Sequence, residues 1–288
     1  MNDWIDHKEY PFKSNFFDLQ MGRLHYVDEG KSDHAIVMVH GNPVWSFVYR
    51  KFIKHFSKNY RCIAPDHIGF GLSDKPSGWD YLPEIHAENL KSLLDHLNCK
   101  SITLIVGDWG GPIGLSYALY KPDKVKALVI MNTWMWSVKG DLHFEGFSRL
   151  MGGIIGRFLI KRFNFFVKVL MKRMFQADIP YSLHQHYIKP LEKPSERKGC
   201  WIFPKRIIGS TNWLDELWSK KDEIKNISSL ILWGKKDIAF REKELRKWMT
   251  FLNDAETHKF ENIGHFVPEE LKESDYPIID EFLKKKLA

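Results

Sequence analysis

The chain has 288 residues, 44% hydrophobic and 27% charged, which excludes a disordered chain, a collagen and a disulfide scaffold. Its length suits one large α/β domain or two small ones. With 43 Lys and Arg against 36 Asp and Glu the formal charge is +7, which over this length serves solubility rather than marking a nucleic-acid footprint.

In chain order, the first residues carry Asp3, Asp6 and Glu9 with no apolar run, so no signal peptide is read there. Strand-like runs follow at Leu24–Asp28, Ala35–His40 and Tyr60–Pro65, with a helical stretch at Phe47–Phe56. Next come a helix over Leu82–Leu97, a strand over Ile102–Val106, a helix over Gly110–Tyr120 and a strand over Val125–Met131. Beyond a long interruption, strands at Leu230–Trp233 and His258–Phe260 flank a helix over Arg241–Leu252. The terminal stretch Asp275–Leu287 is amphipathic and ends in lysines, as a last helix should. The runs 35–39, 102–106 and 127–131 are nearly continuous apolar, the pattern of parallel strands covered on both faces. Strand and helix alternating in this way predict an open, mostly parallel α/β sheet wrapped by helices. No internal repeat is visible, and no window nears the ~18 apolar residues a membrane span needs.

The interruption runs from about Thr133 to Leu230, too long for a loop. It is rich in Phe, Met, Lys and Arg and reads as helices. We therefore expect a core in two parts, residues 1–133 and 229–288, with an inserted helical cap over 134–228. Its basic, hydrophobic piece, Ile154–Phe175, carries Arg157, Lys161, Arg162, Lys168, Lys172 and Arg173. Two readings stand: cap helices with solvated charges over a buried Phe/Leu face, or a membrane-surface or subunit contact.

The cysteines Cys62, Cys99 and Cys200 are scattered and no CxxC occurs, so a reducing compartment fits and neither zinc nor disulfides are indicated. His184-x-His186 has a metal-ligand spacing but no third ligand, and no metal is expected. The expected location is cytoplasmic, and a homo-oligomer is compatible with the sequence.

The most informative stretch is Ile105-Val106-Gly107-Asp108-Trp109-Gly110-Gly111-Pro112-Ile113-Gly114. A strand runs straight into a helix past small residues, the logic of a nucleophile elbow that thrusts one side chain above the sheet. Here that side chain is Asp108; no G-x-S-x-G occurs. Taken alone, Asp108 serves equally as an N-cap of the following helix. Other motifs tip the balance. His40-Gly41-Asn42-Pro43 follows the strand 35–39 and so lies at the same C-terminal sheet edge, where open α/β folds bind ligands. Asp66–Asp74 is a Gly-punctuated turn after the next strand. Trp233-Gly234-Lys235-Lys236-Asp237 and Asn262-Ile263-Gly264-His265 each follow a late strand. Asp108, Asp237 and His265 thus stand in the chain order nucleophile, acid, base.

These motifs resemble the α/β-hydrolase superfamily and, within it, the haloalkane dehalogenases, over nearly the whole chain from about Phe16. The specific pieces are His40–Arg50 (HGNPVWSFVYR), Asp66–Pro76 (DHIGFGLSDKP) and Asp108–Gly114 (DWGGPIG); Phe203–Ile207 is similar to the end of a dehalogenase cap. The resemblance implies the triad acid at Asp237; the position after the sixth strand, used in another subgroup, holds Asn132-Thr133-Trp134 and no carboxylate. Asn42 and Trp109 together with Asp237 look most like the third dehalogenase subfamily. The resemblance further implies halide binding by Asn42 and Trp109, and an oxyanion site formed by the backbone N–H groups of the same two residues. It implies no cofactor. The implied partners are a small neutral halogenated hydrocarbon and a halide ion, with no nucleic acid.

The residues suit that chemistry. A carboxylate with an ordinary pKa near 3.9 is ionised at neutral pH and attacks a saturated carbon without a base. Hydrolysis of the resulting ester does need one, His265 oriented by Asp237. Epoxide hydrolysis is the main alternative; it wants an acid for the alkoxide, usually a cap tyrosine, and the expected cap holds Tyr181 and Tyr187. A fluoroacetate dehalogenase would need Arg where Trp109 stands. A third alternative is a non-catalytic binding protein on the same fold. Trp134, Trp136, Phe144, Phe147, Phe165 and Phe166 fit an apolar pocket as a group, with none assigned singly.

Overall fold

The runs read as fully apolar form the centre of one eight-stranded sheet. The computed structural model describes residues 3–287. The strands are β1 (Asn15–Leu19), β2 (Gly22–Glu29), β3 (His34–Val39), β4 (Arg61–Pro65), β5 (Ser101–Asp108), β6 (Val125–Thr133), β7 (Ser228–Gly234) and β8 (Glu256–Phe260). Their spatial order is β1-β2-β4-β3-β5-β6-β7-β8. From β4 to β8 every pair is parallel, while β1 and β2 pair antiparallel at one edge. The helices are α1 (Arg50–Phe56), α2 (Pro83–His96), α3 (Gly110–Tyr120), α4 (Leu142–Gly152), α5 (Ile154–Phe163), α6 (Met171–Met174), α7 (Tyr181–Ile188), α8 (Lys198–Gly209), α9 (Thr211–Ser219), α10 (Glu242–Phe251), α11 (Val267–Glu270) and α12 (Tyr276–Leu287).

The apolar runs are buried because helices cover both faces: Ile36 to Val39, Ile102, Leu104 to Val106 and Ala127 to Ile130 are all without solvent exposure. Register then aligns the C-terminal strand ends. Val39 pairs with Val106, Asp108 with Thr133, and Met131 with Leu232. Each loop that leaves these strands therefore opens onto the same edge.

β1 is the strand the sequence reading lacks. Its five residues, NFFDL, alternate between half-buried and exposed at the sheet margin, so no apolar run marks it. Between the ends of β6 and β7 the chain forms α4 to α9 with short irregular turns and, among the described residues, no strand. Within the basic piece, α5 stops at Asn164 in a left-handed conformation (φ 53°) and one π-helical turn, Phe166–Leu170, leads into α6. Phe166 and Met171 face inward as expected of a buried Phe/Leu face, but Phe158 and Phe163 are exposed.

Two buried networks fasten the edge. Arg50, at the start of α1, is wholly buried and forms a fork to Glu269 in α11, whose carboxylate also accepts from Tyr187 at 3.2 Å. Asp66 accepts from the backbone of Ser46 and Leu72 and pairs with His25 at 2.9 Å, fixing the turn that the Gly-punctuated motif encodes.

Candidate active site

Asp108 ends β5 with φ at 48°, a region that side chains rarely adopt, and this backbone lifts its carboxylate clear of the sheet. The tight turn requires its glycines. A Cβ on Gly110 would sit 1.9 Å from the Val39 carbonyl oxygen, and one on Gly111 would sit 1.8 Å from Thr133 Oγ1. The alternative of a helix cap is not what the side chain does: no side chain caps α3, and Asp108 Oδ1 accepts the backbone N–H of Asn42 at 2.7 Å. Burial pushes the Asp108 carboxyl up, and this is offset in part by His265 and by the N–H groups of Trp109 and Asn42.

The structure brings all three triad candidates together. His265 Nδ1 lies 2.9 Å from Asp237 Oδ2, and His265 Nε2 lies 3.7 Å from Asp108 Oδ2. Asp237 is held in turn: Oδ1 accepts the Ala239 N–H at 2.7 Å and Oδ2 accepts the Asn132 amide at 2.8 Å. Burial alone would lower the His265 pKa, but the Asp237 charge and hydrogen bond, with help from Asp108, hold it above the ordinary value of 6.5. The Phe240 ring stacks on the imidazole at 5.7 Å.

Asn42 and Trp109 both line a cavity of about 130 Å³ above Asp108. Asn42 Oδ1 is buried without a hydrogen-bond partner. Trp109 is held face-on by Phe203 of α8 at 5.3 Å and edge-on by Trp134 at 4.7 Å. Of the aromatic group, Trp134, Phe144, Phe147 and Phe166 line the cavity. Trp136 instead packs on Trp218 and Trp248, and Phe165 lies outside the lining. Tyr181 is exposed, and the Tyr187 hydroxyl is spent on Glu269, so neither reaches the cavity. His184 gives Nε2 to the Val167 carbonyl, and both His186 ring nitrogens are likewise paired with backbone groups.

Asn132 and Glu270 escape the sequence reading, and Trp134 is read there only as one of a group of aromatics. Asn132, noticed there only for not being a carboxylate, clamps Gly234 through both amide atoms while donating to Asp237. Trp134, in the cavity wall, has a buried indole N–H without a partner. Glu270 accepts the N–H of Gly264 at 3.0 Å and of Gln176 at 2.8 Å, and His265 donates its own N–H to the Met174 carbonyl at 3.0 Å. These bonds tie the histidine loop to the end of α6. The sequence signal for Asn132 is its position near the end of a strand beside the elbow, and that for Trp134 its aromatic character.

Residues 34–270 match the family described by the α/β-hydrolase fold. A Mycobacterium tuberculosis protein named haloalkane dehalogenase 2 is 36% identical over 268 residues, covering 92% of this chain and 93% of that one. A Shewanella oneidensis protein named cis-3-alkyl-4-alkyloxetan-2-one decarboxylase is 34% identical over 292 residues, covering 95% and 89%. Among solved structures, the haloalkane dehalogenase DatA from Agrobacterium tumefaciens C58 superposes with a TM-score of 0.84 at 23% identity, covering 95% of this chain and 96% of the other, a likeness of fold. Matches that run nearly end to end on both chains make this protein a member of the α/β-hydrolase family, in the branch that holds the haloalkane dehalogenases.

Proposed function

We propose that the chain hydrolyses the carbon–halogen bond of small neutral haloalkanes through an ester on Asp108. The observation that carries this reading is one carboxylate facing two ways. Its Oδ1 rests on a backbone N–H, its Oδ2 faces His265, and an apolar cavity rimmed by Asn42 and Trp109 lies above it. Residues 134–228 act as the cap that closes this cavity, supplying Trp134, Phe144, Phe147 and Phe166 to its wall.

In the first step Asp108 Oδ2 attacks the substrate carbon and the halide leaves with the bonding pair. The anion is taken by the Trp109 indole N–H and the Asn42 side-chain N–H. In the second step His265 Nε2 takes a proton from water, and the hydroxide formed attacks Asp108 Cγ. Oδ1 becomes the oxyanion between the N–H groups of Asn42 and Trp109, each such donor typically worth ~3 kcal/mol. Collapse releases the alcohol, which takes the proton back from His265 while the carboxyl releases one, so alcohol, halide and a proton result. Asp237 holds the tautomer that leaves Nε2 free to accept.

The test is halide release from 1-bromobutane or 1,2-dibromoethane. The protein releases halide and acid, and Asp108→Asn abolishes both; retained turnover in that variant would remove the nucleophile from the scheme. Epoxide hydrolysis has no support from the cavity, whose lining includes no tyrosine acid.

A second reading draws on the 34% identical decarboxylase. An alkylated oxetan-2-one is neutral and apolar, and attack by Asp108 on its C4 would free a carboxylate where a halide would otherwise sit. Loss of carbon dioxide then forms the alkene and expels Asp108, with no water step and no need for His265. Carbon dioxide from a cis-3,4-dialkyloxetan-2-one, undiminished in His265→Ala and unaccompanied by halide turnover on bromides, would select this reading.

A further inference from the structure

The outer surface of the helical insert has a composition the catalytic scheme does not use. Between Glu145 and Asp178 there is no acidic residue, while Arg149 and the six cations of the basic piece bring seven positive charges. Without those seven the chain has 36 basic and 36 acidic residues, so this one segment carries the whole formal charge of +7. Arg149 pairs with Glu145, whereas the other six form no ion pair among the described residues. The same segment exposes large apolar side chains: Ile154 at 90%, Ile155 at 65%, Phe158 at 59%, Leu150 at 57% and Phe163 at 53%. Charge and apolar surface are interleaved rather than separate. Ile154, Arg157, Phe158, Lys161 and Arg162 share one shallow groove with Pro194, and the Phe163 ring meets Phe158 edge-on at 5.9 Å.

We propose that α5 and the turn after it dock this protein on the surface of an anionic phospholipid bilayer, with Ile154, Ile155 and Phe158 inserted below the headgroups and the six cations on the phosphates. An exposed helix with apolar tips ringed by Lys and Arg and free of acids is the pattern of interfacial binding, and clustered cations add to it on anionic lipid. A second copy of the same surface is the poorer occupant, since a two-fold contact would set like charges against each other. The apolar tips are exposed around a shallow groove, as insertion into lipid requires, instead of lining a deep slot for a partner's side chains. No helix of the described residues is long and apolar enough to cross a membrane, so the attachment is to the surface. α4 and the turn after Asn164, on either side of α5, supply Phe147, Phe166 and Leu170 to the cavity wall. A docked enzyme thus holds its apolar cavity beside the phase in which apolar substrates concentrate. That last consequence rests on the proposed function; the docking rests on the surface alone.

The experiment is flotation of the full-length protein with vesicles of phosphatidylcholine containing one part in three phosphatidylglycerol, against vesicles of phosphatidylcholine only. The protein is expected to float with the anionic vesicles at low salt, on the order of tenfold or more above the neutral ones, and to be released as salt rises. Arg157→Glu with Lys161→Glu and Arg162→Glu removes flotation, and Ile154→Ser with Phe158→Ser weakens it at unchanged charge. All five side chains are exposed and outside the cavity lining, so halide release in the absence of vesicles stays at the level of the unaltered protein and reports that each variant is folded. Phe158→Trp adds an independent readout, an emission shift to the blue that only anionic vesicles produce. Equal recovery with both vesicle types, or full binding by the triple charge reversal, overturns the proposal. So does a soluble oligomer or protein complex that dissociates in Phe158→Ser while anionic vesicles bind nothing. Because flotation does not involve turnover, failure of the docking and failure of the dehalogenase reading are told apart.

Discussion

The C-terminal edge of the sheet and the helical insert above it are built on opposite principles. At the edge, the buried carboxylates are held by named partners: Asp237 by Asn132, Ala239 and His265, and Asp108 by Asn42. In the insert, the wall of the cavity is aromatic and aliphatic, and position comes from packing, as where Phe203 stacks on Trp109 and Trp134 meets it edge-on. Buried hydrogen bonds fix atoms to fractions of an ångström, whereas apolar contacts tolerate exchange of shape at similar volume. On the proposed function, the first region sets whether a bond is broken and the second which molecule presents it.

That contrast can be broken most sharply at the base. With His265→Ala, the first bromide should leave and the ester should remain. Steady-state turnover falls about 10⁴-fold or more, with one halide released per site and a mass gain equal to the alkyl group. Sustained turnover would show that the edge is not the seat of the chemistry. A smaller effect, though still large, is expected at Asp237. Its charge holds the His265 pKa above 6.5, and the second step needs neutral imidazole, so activity is lost as pH falls through that raised value. Asp237→Asn should cut turnover on the order of 10³- to 10⁴-fold and move the acid limb of the kcat profile to lower pH. A limb that stays in place would detach the acid from the base. Least damaging is a change in the insert. Phe166→Ala enlarges the cavity wall and should raise KM for a short bromide roughly tenfold, while kcat on the same substrate changes little and longer bromides improve. A kcat collapse in Phe166→Ala would mean the insert does more than select.

The sequence made the edge legible because apolar runs of fixed length bring loops to one side of a parallel sheet, and the residues at their ends carry distinctive chemistry. Asp108, Asp237 and His265 were reached from that reasoning together with the elbow motif, the chain order and the family resemblance that implies Asp237 as the acid. β1 was not legible, since half-exposed alternation in NFFDL leaves no burial pattern to read. Asn132 and Glu270 were hidden for a different reason. Each acts through backbone groups about a hundred residues away, at Gly234 and at Gln176, and no spacing along the chain encodes such a bond. The aromatic wall was legible as a class and not by member: Trp134 and Phe166 face the cavity, while Trp136 joins a tryptophan cluster on α9 and α10.

The mooring of the histidine loop has a mechanical consequence. Glu270 grips Gly264 and Gln176 in one carboxylate, and the His265 N–H is fastened to Met174, itself part of the cavity wall. Burial drives the Glu270 carboxyl above its ordinary range, so this knot weakens in mild acid before an exposed carboxylate would protonate. Breathing of the roof at Met174 and tilting of the imidazole are therefore a single motion. On the proposed function, traffic of substrate and alcohol through that flank would idle the base at the moment water arrives.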